Sequence, residues 1–344
     1  MPTCSRVFAS YETHRMPVKG PNKTAPTKQT QDNDKRCSEM WSRVLGAGFD
    51  LRELDEDEHW SRFIQLRRSG AIDARGRPVK EDERRHVRDR TLERDCNWLV
   101  MVLSWATTRR ENGKYLLDNN PARGFDVPRE ENPLRPVATE GRYAKLLEKA
   151  DEHEMAVSWK GKRVKVRSYI KEKLVIHNGT ARRDKAVRTL KREDLRYNDD
   201  GELVGIAWPH ERDKMRKGWY ADVTPAVASA IGSLLDLQKR FGIVSPYLFP
   251  ARRDYRNPIG KRLAARWLEK LEDMAKVPHL KQGTWHPYRR KWATERKGHA
   301  DVDVCAAGGW GDTRSLKVAY QHADSDSVRK VIFEPTHKVR EVVA

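Results

Sequence analysis

Apolar positions along the chain fall into two blocks separated by an extended, proline-rich stretch. In the first block, Met40, Trp41, Val44 and Leu45, then Trp60, Phe63, Ile64 and Leu66 recur at three- and four-residue spacing. That period predicts helix from Glu39 to about Arg68. Residues 70–79 read as a loop. A second helical stretch is expected over 82–108, where Leu92, Trp98, Leu99, Val102, Leu103 and Trp105 make an apolar stripe. Trp98 and Trp105 lie on that stripe and read as core residues. Asn119-Asn120-Pro121-Ala122 marks a turn. Pro128, Pro133 and Pro136 then hold the chain extended, because the residue before a proline is driven out of helical geometry. Ahead of this block, residues 1–38 are rich in Pro, Lys, Thr, Gln and Asn, and are expected to form a flexible arm.

The second block starts near Thr139. Helix is predicted over 141–152, through Tyr143, Leu146, Leu147 and Ala150, and again over 153–177. Leu203–Trp208 and Trp219–Val223 are β-like runs joined by Pro209–Gly218, a hairpin pattern. Thr224-Pro225 opens a helix through Arg240, proline being favoured in the first helical turn. Further helix is expected over 259–274. Val328, Val331, Ile332 and Phe333 make a short apolar tail. The pattern predicts a mainly α protein with a small β-sheet, divided into an arm (1–38), a helical domain (39–136) and a mixed domain (137–344).

Charge narrows the class of partner. Lys and Arg number 69 against 50 Asp and Glu, a net charge of +19. Such an excess favours a polyanion, nucleic acid first. No run approaches the roughly 18–20 apolar residues that span a bilayer, and residues 1–20 lack the apolar centre of a secretory signal. Cys4, Cys37, Cys96 and Cys305 are scattered without a Cys-x-x-Cys pair, so neither a zinc site nor a disulfide framework is indicated. A reducing, cytoplasmic, DNA-associated setting is the expectation.

Candidate chemistry is concentrated between Trp285 and His322. His286 and Arg289, three residues apart, share a helix face. Trp310 follows the pair Gly308-Gly309, and Tyr320 comes ten residues later. An arginine fork can hold two phosphate oxygens, an imidazole can move a proton, and a tyrosine hydroxyl can form a covalent intermediate. These are the group types that attack on a phosphodiester requires.

In this order and spacing the segment resembles the active-site box of the tyrosine recombinases, the phage-integrase family, in which His-x-x-Arg precedes Gly-His or Gly-Trp and then a nucleophilic Tyr. The stretch 178–195 resembles the family's first arginine box. Leu190 and Asp194 as anchors select Arg183, with Arg182 the alternative, although the acidic residue usual three positions after that arginine is replaced by Ala186. The resemblance places a catalytic lysine in the hairpin turn, Lys214 or else Lys217. Residues 39–136 resemble the family's core-binding domain, half of a DNA clamp, in which Arg84, Arg85, Arg88 and Arg90 are either phosphate contacts or a solvated face.

The resemblance implies a site-specific recombinase, an integrase of a phage or mobile element. It would cut and rejoin double-stranded DNA at attachment sites through a 3′-phosphotyrosyl link, with no cofactor, metal or ATP. Arg183 and Arg289 would clamp the phosphate, Trp310 would donate to it, His286 would assist proton transfer, Lys214 would protonate the leaving oxygen and Tyr320 would be the nucleophile. It further implies a homotetramer on DNA, with the tail docked on a neighbouring protomer, and accessory bending or directionality proteins. A resolvase or invertase of the same chemistry, or an inactive DNA-binding regulator of this fold, are the alternatives.

Overall fold

The computed structural model of the chain describes residues 1–18, 25–130, 135–159, 161–209, 218–280, 283–323 and 325–333. It divides into two compact units, residues 1–133 and 134–344.

The first unit is built on helices α1 (Cys4–His14), α2 (Lys28–Leu45), α3 (Arg62–Arg68) and α4 (Asp89–Ala106), with a minimal hairpin, β1 (Arg110–Glu111) and β2 (Lys114–Tyr115). The helix expected over 39–68 is two helices. Gly46, with φ 99°, closes α2, and the chain re-enters helix at Asp55, whose carboxylate caps the amides of Asp57 and Glu58. Trp41 lies between Trp60 and Phe63, at ring-centroid distances of 5.7 and 3.8 Å. Asp95 is wholly buried at the centre, where Arg36 (2.7 Å) and Arg67 (3.2 Å) neutralise it.

The expectation of a flexible arm is corrected for much of residues 1–38. Thr3 caps α1, and Cys4, Val7, Phe8 and Tyr11 are buried in the core of this unit. Phe8 and Tyr11 meet Trp98 edge-on, and the Tyr11 hydroxyl donates to Asp34 on α2. The spacing 4, 7, 8, 11 is a single apolar helix face. Such a face is stable once a partner surface buries it, whatever the polarity of the residues between.

The second unit contains α5 (Glu140–Ala150), β3 (Glu154–Trp159), β4 (Lys162–Arg167), α6 (Ile170–Thr180), α7 (Asp184–Arg188), β5 (Leu195–Tyr197), β6 (Leu203–Trp208), β7 (Trp219–Asp222), α8 (Pro225–Arg240), α9 (Lys261–Met274), α10 (His286–Glu295), α11 (Asp301–Gly308), α12 (Thr313–Ala319) and α13 (Ser325–Phe333). The expected hairpin pairs antiparallel, Gly205 with Asp222 through Trp208 with Trp219, and β5 adds a third strand on the far edge of β6. Helix α8 begins at Pro225 with Thr224 as its cap.

One stretch departs from expectation. The helix predicted over 153–177 is a β3–β4 hairpin followed by α6. Met155 and Val157 are buried two apart in β3, with Glu154 exposed and Ala156 half-buried between them, and Val166 is buried in β4 beside exposed Lys165. That is a strand pattern with β-branched residues.

A large core joins α5, α6, α8, α9, both sheets and the start of α10. A smaller one, Ala181, Trp292, Ala293, Val304, Cys305, Trp310 and Leu316, holds α10, α11 and α12 around Tyr320. Among the described residues, no helix is long and apolar enough to cross a membrane.

Candidate active site

Helix α10 sets the floor of the site. Most of it is buried, including the run Arg289-Arg290-Lys291, which a surface helix would turn to water. Each cation has a defined role. Arg289 is 1% exposed, and its Nη1 donates to the carbonyls of Ala181 and Gly308 (2.8 Å for the latter), while Nη2 reaches Gly309 O at 3.4 Å. Arg290 donates to Pro136 O (2.9 Å) and Ala319 O (3.3 Å), which fixes the residue before Tyr320. Lys291 pairs with Glu140 and Glu295.

The three carbonyls that hold Arg289 come from two chain reversals, and each reversal uses left-handed backbone. One is Ala181, φ 52°, at the end of α6. Gly179, two residues earlier, is helical and lies against Val227 of α8. The other is Gly309, φ 70°, which ends α11. A side chain on Gly309 would collide with the Arg182 guanidinium, and one on Gly308 with the Trp310 ring. The glycine pair therefore lets Arg182 and Trp310 close on the same turn. Gly309→Ala is expected to lose about 2 kcal/mol of stability in urea unfolding. Gly298→Ala, whose added carbon would meet nothing, should be close to neutral.

The candidate groups converge here. The Arg289 guanidinium carbon sits 3.7 Å from the Trp310 ring centre and 5.0 Å from that of Tyr320. Trp310 and Tyr320 meet edge-to-face at 5.1 Å, and the His286 ring lies 6.3 Å from Tyr320. Tyr320 ends α12; its carbonyl accepts from Thr294 Oγ1 at 3.2 Å. Arg183 caps α7 and, with Arg182, Arg289, Ala186, Trp208, Trp219 and Gly309, lines a narrow cleft. Of the six residues expected to act together, Arg183, His286, Arg289, Trp310 and Tyr320 share this locality. Lys214 and its alternative Lys217 lie outside the described residues; the flanking strands end at Trp208 and Trp219, in the cleft wall.

Two features escaped the sequence reading. Arg182, the alternative to Arg183, is itself a buried member of the cleft. It stands between the rings of Trp208 (5.3 Å) and Trp219 (5.5 Å) and donates to Ala307 O. Beneath the cleft, Lys173 and His177 are both buried on α6. Their four-residue spacing among Leu174 and Ile176 was the available signal.

Electrostatics follow from so many cations in one place. Burial first, then Arg183 and Arg182, draw the Arg289 pKa down to about 9, while Tyr320 opposes them; the group stays cationic at neutral pH. Desolvation, then Arg290, Arg289 and Arg183, bring His286 down to about 4, even though part of its side chain reaches the surface. His286 is therefore a neutral imidazole at pH 7, able to accept a proton. Burial also takes His153 to about 4 and His177 well below its ordinary range.

His153 and His177, both buried, make the fold acid-sensitive. Each binds a proton more weakly folded than unfolded, so stability is intact above about pH 6.5. It is lost as pH falls from there towards 4, at up to about 1.4 kcal/mol per pH unit for each group. Urea midpoints should fall steadily between pH 6.5 and 4.5, and His153→Gln should lessen the slope. A flat profile would contradict the burial of these rings.

No protein-family model matches the chain, and no curated protein does. Solved structures do. The fold is similar to that of the XerH site-specific recombinase bound to a palindromic difH substrate in a post-cleavage complex, with TM-score 0.62 and 16% identity, covering 87% of this chain and 77% of that one. It is similar to the Tn1549 transposon integrase in complex with circular intermediate DNA, with TM-score 0.59 and 15% identity over 96% of this chain and 98% of that one. It is also similar to a lambda integrase dimer bound to a COC′ core site, with TM-score 0.59 and 13% identity over 98% and 80%. At these identities the likeness is one of fold alone: a mainly helical chain with small antiparallel sheets.

Proposed function

We propose that this chain is a tyrosine-type site-specific DNA recombinase, an integrase of a phage or mobile element. One observation carries the reading: a single buried guanidinium, Arg289, lies against both Trp310 and Tyr320, with Arg183 lining the same cleft and the His286 ring beside Tyr320. The fold shared with recombinases and integrases solved on DNA supports it.

In this reading the scissile phosphate enters the cleft, and Arg183 and Arg289 neutralise its non-bridging oxygens as charge builds at phosphorus. The buried Trp310 Nε1, which has no acceptor among the described residues, gains one in a phosphate oxygen. The Tyr320 hydroxyl attacks phosphorus and gives its proton towards neutral His286. The P–O5′ bond breaks, the 5′ oxygen takes a proton from Lys214, and the strand is left joined to Tyr320 through its 3′ phosphate. Attack by a partner strand's 5′-hydroxyl reverses the step. The ester conserves the energy of the broken bond, so no ATP or metal is needed.

Recombination between two duplexes calls for four active sites, hence a homotetramer on DNA. Val328, Ile332 and Phe333 on α13 are 44%, 69% and 72% exposed and suit docking on a neighbouring protomer. The arginines at 84, 85, 88 and 90, all exposed, are available to phosphates.

The test starts from a pool of random-sequence duplexes. Selection by binding should enrich a defined site, and affinity for it should fall about a thousandfold between 50 and 200 mM salt if six or more phosphates are neutralised. A nicked copy of that site, which cannot religate, should trap a covalent adduct. No enrichment with a flat salt dependence would overturn the reading; enrichment without an adduct would leave a DNA-binding regulator. Recombination between paired sites in direct or inverted orientation then separates integration from resolution or inversion.

A further inference from the structure

We propose that Lys173 is a positioning residue that ties the Arg183 segment to the His286 segment from beneath the cleft. The inference rests on the recombinase reading for its consequence, but the tie itself stands on geometry. Lys173 is on α6 and has no exposed surface. Its ammonium makes two contacts of different kinds. One is a 2.7 Å ion pair with Asp184 Oδ1, the residue that directly follows Arg183. The other is a cation–π contact with Trp285, the residue that directly precedes His286, at 3.2 Å from the ring centre. Asp184 opens α7 and Trp285 caps α10, so one buried cation grips the first turn of both helices.

A lysine is among the least buried of side chains unless it is paired, and taking an ammonium out of water is costly. Core packing at this position would be met better by leucine, the type that Leu174 and Ile176 supply beside it. Asp184 is also held by Arg188 Nε at 2.8 Å, and Arg188 in turn donates to Ile259 O at 2.6 Å, so the anchor continues into the loop before α9. Burial draws the Lys173 pKa down to about 8 against the pull of Asp184, which leaves it mostly charged at neutral pH.

A tie of this kind makes a specific demand. Arg183 and His286 come from segments about a hundred residues apart and must meet one phosphate together. A shift of about 1 Å in either can cost on the order of a hundredfold in rate. Lys173 touches neither the cleft lining nor Tyr320 in the described contacts, so it acts through Asp184 and Trp285.

The test uses Lys173→Met in the full chain. Methionine keeps the length and volume of the stem, and Asp184 keeps Arg188, so no carboxylate is orphaned. Lys173→Met/Asp184→Asn removes both charges in case the single variant does not fold. Hydrogen exchange without DNA is the first readout. Peptides covering 181–190 and 283–293 should both exchange faster, while those of α8 and of the first unit stay as in wild type. The second is single-turnover adduct formation on the selected nicked duplex, expected to fall ten- to a hundredfold at saturating DNA with binding affinity within about threefold. Lys173→Arg, which keeps the cation, should recover part of the rate.

Faster exchange in only one of the two segments, or everywhere, would overturn the tie. Faster exchange in both with an unchanged adduct rate would overturn the positioning role. Absence of any adduct in wild type would instead sink the recombinase reading, while exchange still judged the tie.

Discussion

Tyr320→Phe will bind the selected DNA site as wild type does and form no covalent adduct with it. The substitution removes one oxygen. The ring keeps its place against Arg289 and Trp310, and the backbone of residue 320 keeps its bonds to Thr294 and Leu316. Affinity should therefore stay within about threefold. Loss of a nucleophile costs on the order of four to six decades in rate where comparable groups have been removed, so adduct should fall below detection in a gel assay. Residual adduct at more than about one part in a hundred would place the nucleophile elsewhere. A variant that lost binding as well would show that the phenol oxygen is structural.

Arg289→Lys should cost both activity and stability. The guanidinium serves three carbonyls at once and lies against both Trp310 and Tyr320. Lysine keeps the charge but has neither the planar fork nor the reach to hold Ala181, Gly308 and Gly309 together. Carbonyls left without a donor inside the fold cost about 1–3 kcal/mol each when nothing replaces the bond. A stability loss of roughly 2–4 kcal/mol is expected in urea unfolding. Adduct formation at a temperature where the variant stays folded should fall about a hundred- to a thousandfold, as when one oxyanion donor is removed. Cleavage within threefold of wild type would mean that Arg289 is a structural arginine and that another cation meets the phosphate.

How far the sequence carried this picture depended on whether local pattern and tertiary setting agreed. The α4 stripe, the β6–β7 hairpin and the Thr224-Pro225 start of α8 were legible, because period, turn chemistry and capping all point one way there. Residues 153–177 were misread because a strand of six residues beside a helix of eleven makes a mixed apolar pattern in which the longer period dominates. The helix α1 was hidden by polar neighbours, although Cys4, Val7, Phe8 and Tyr11 already traced its buried face.

The cluster of His286, Arg289, Trp310 and Tyr320 was readable because those residues lie within one stretch of the chain. Arg183 was reached only through its neighbours Leu190 and Asp194. The contributions of Arg182, Lys173 and Arg290 were not readable. A cation's ordinary place is in water, and what buries these three is the meeting of Trp208, Trp219, Trp285 and main-chain carbonyls distant in sequence. Ala181 in left-handed backbone is likewise a product of the fold, since nothing local favours that conformation for alanine.

The decisive measurement is the identity of the amino acid joined to cut DNA. Wild-type protein trapped on the nicked duplex, digested with a protease and a nuclease, can be sequenced by tandem mass spectrometry. A nucleotide linked through its 3′ phosphate to Tyr320, with a free 5′-hydroxyl on the released strand, is the expected product. Attachment to Tyr247 or any other side chain, or linkage through a 5′ phosphate, would contradict the account at its centre.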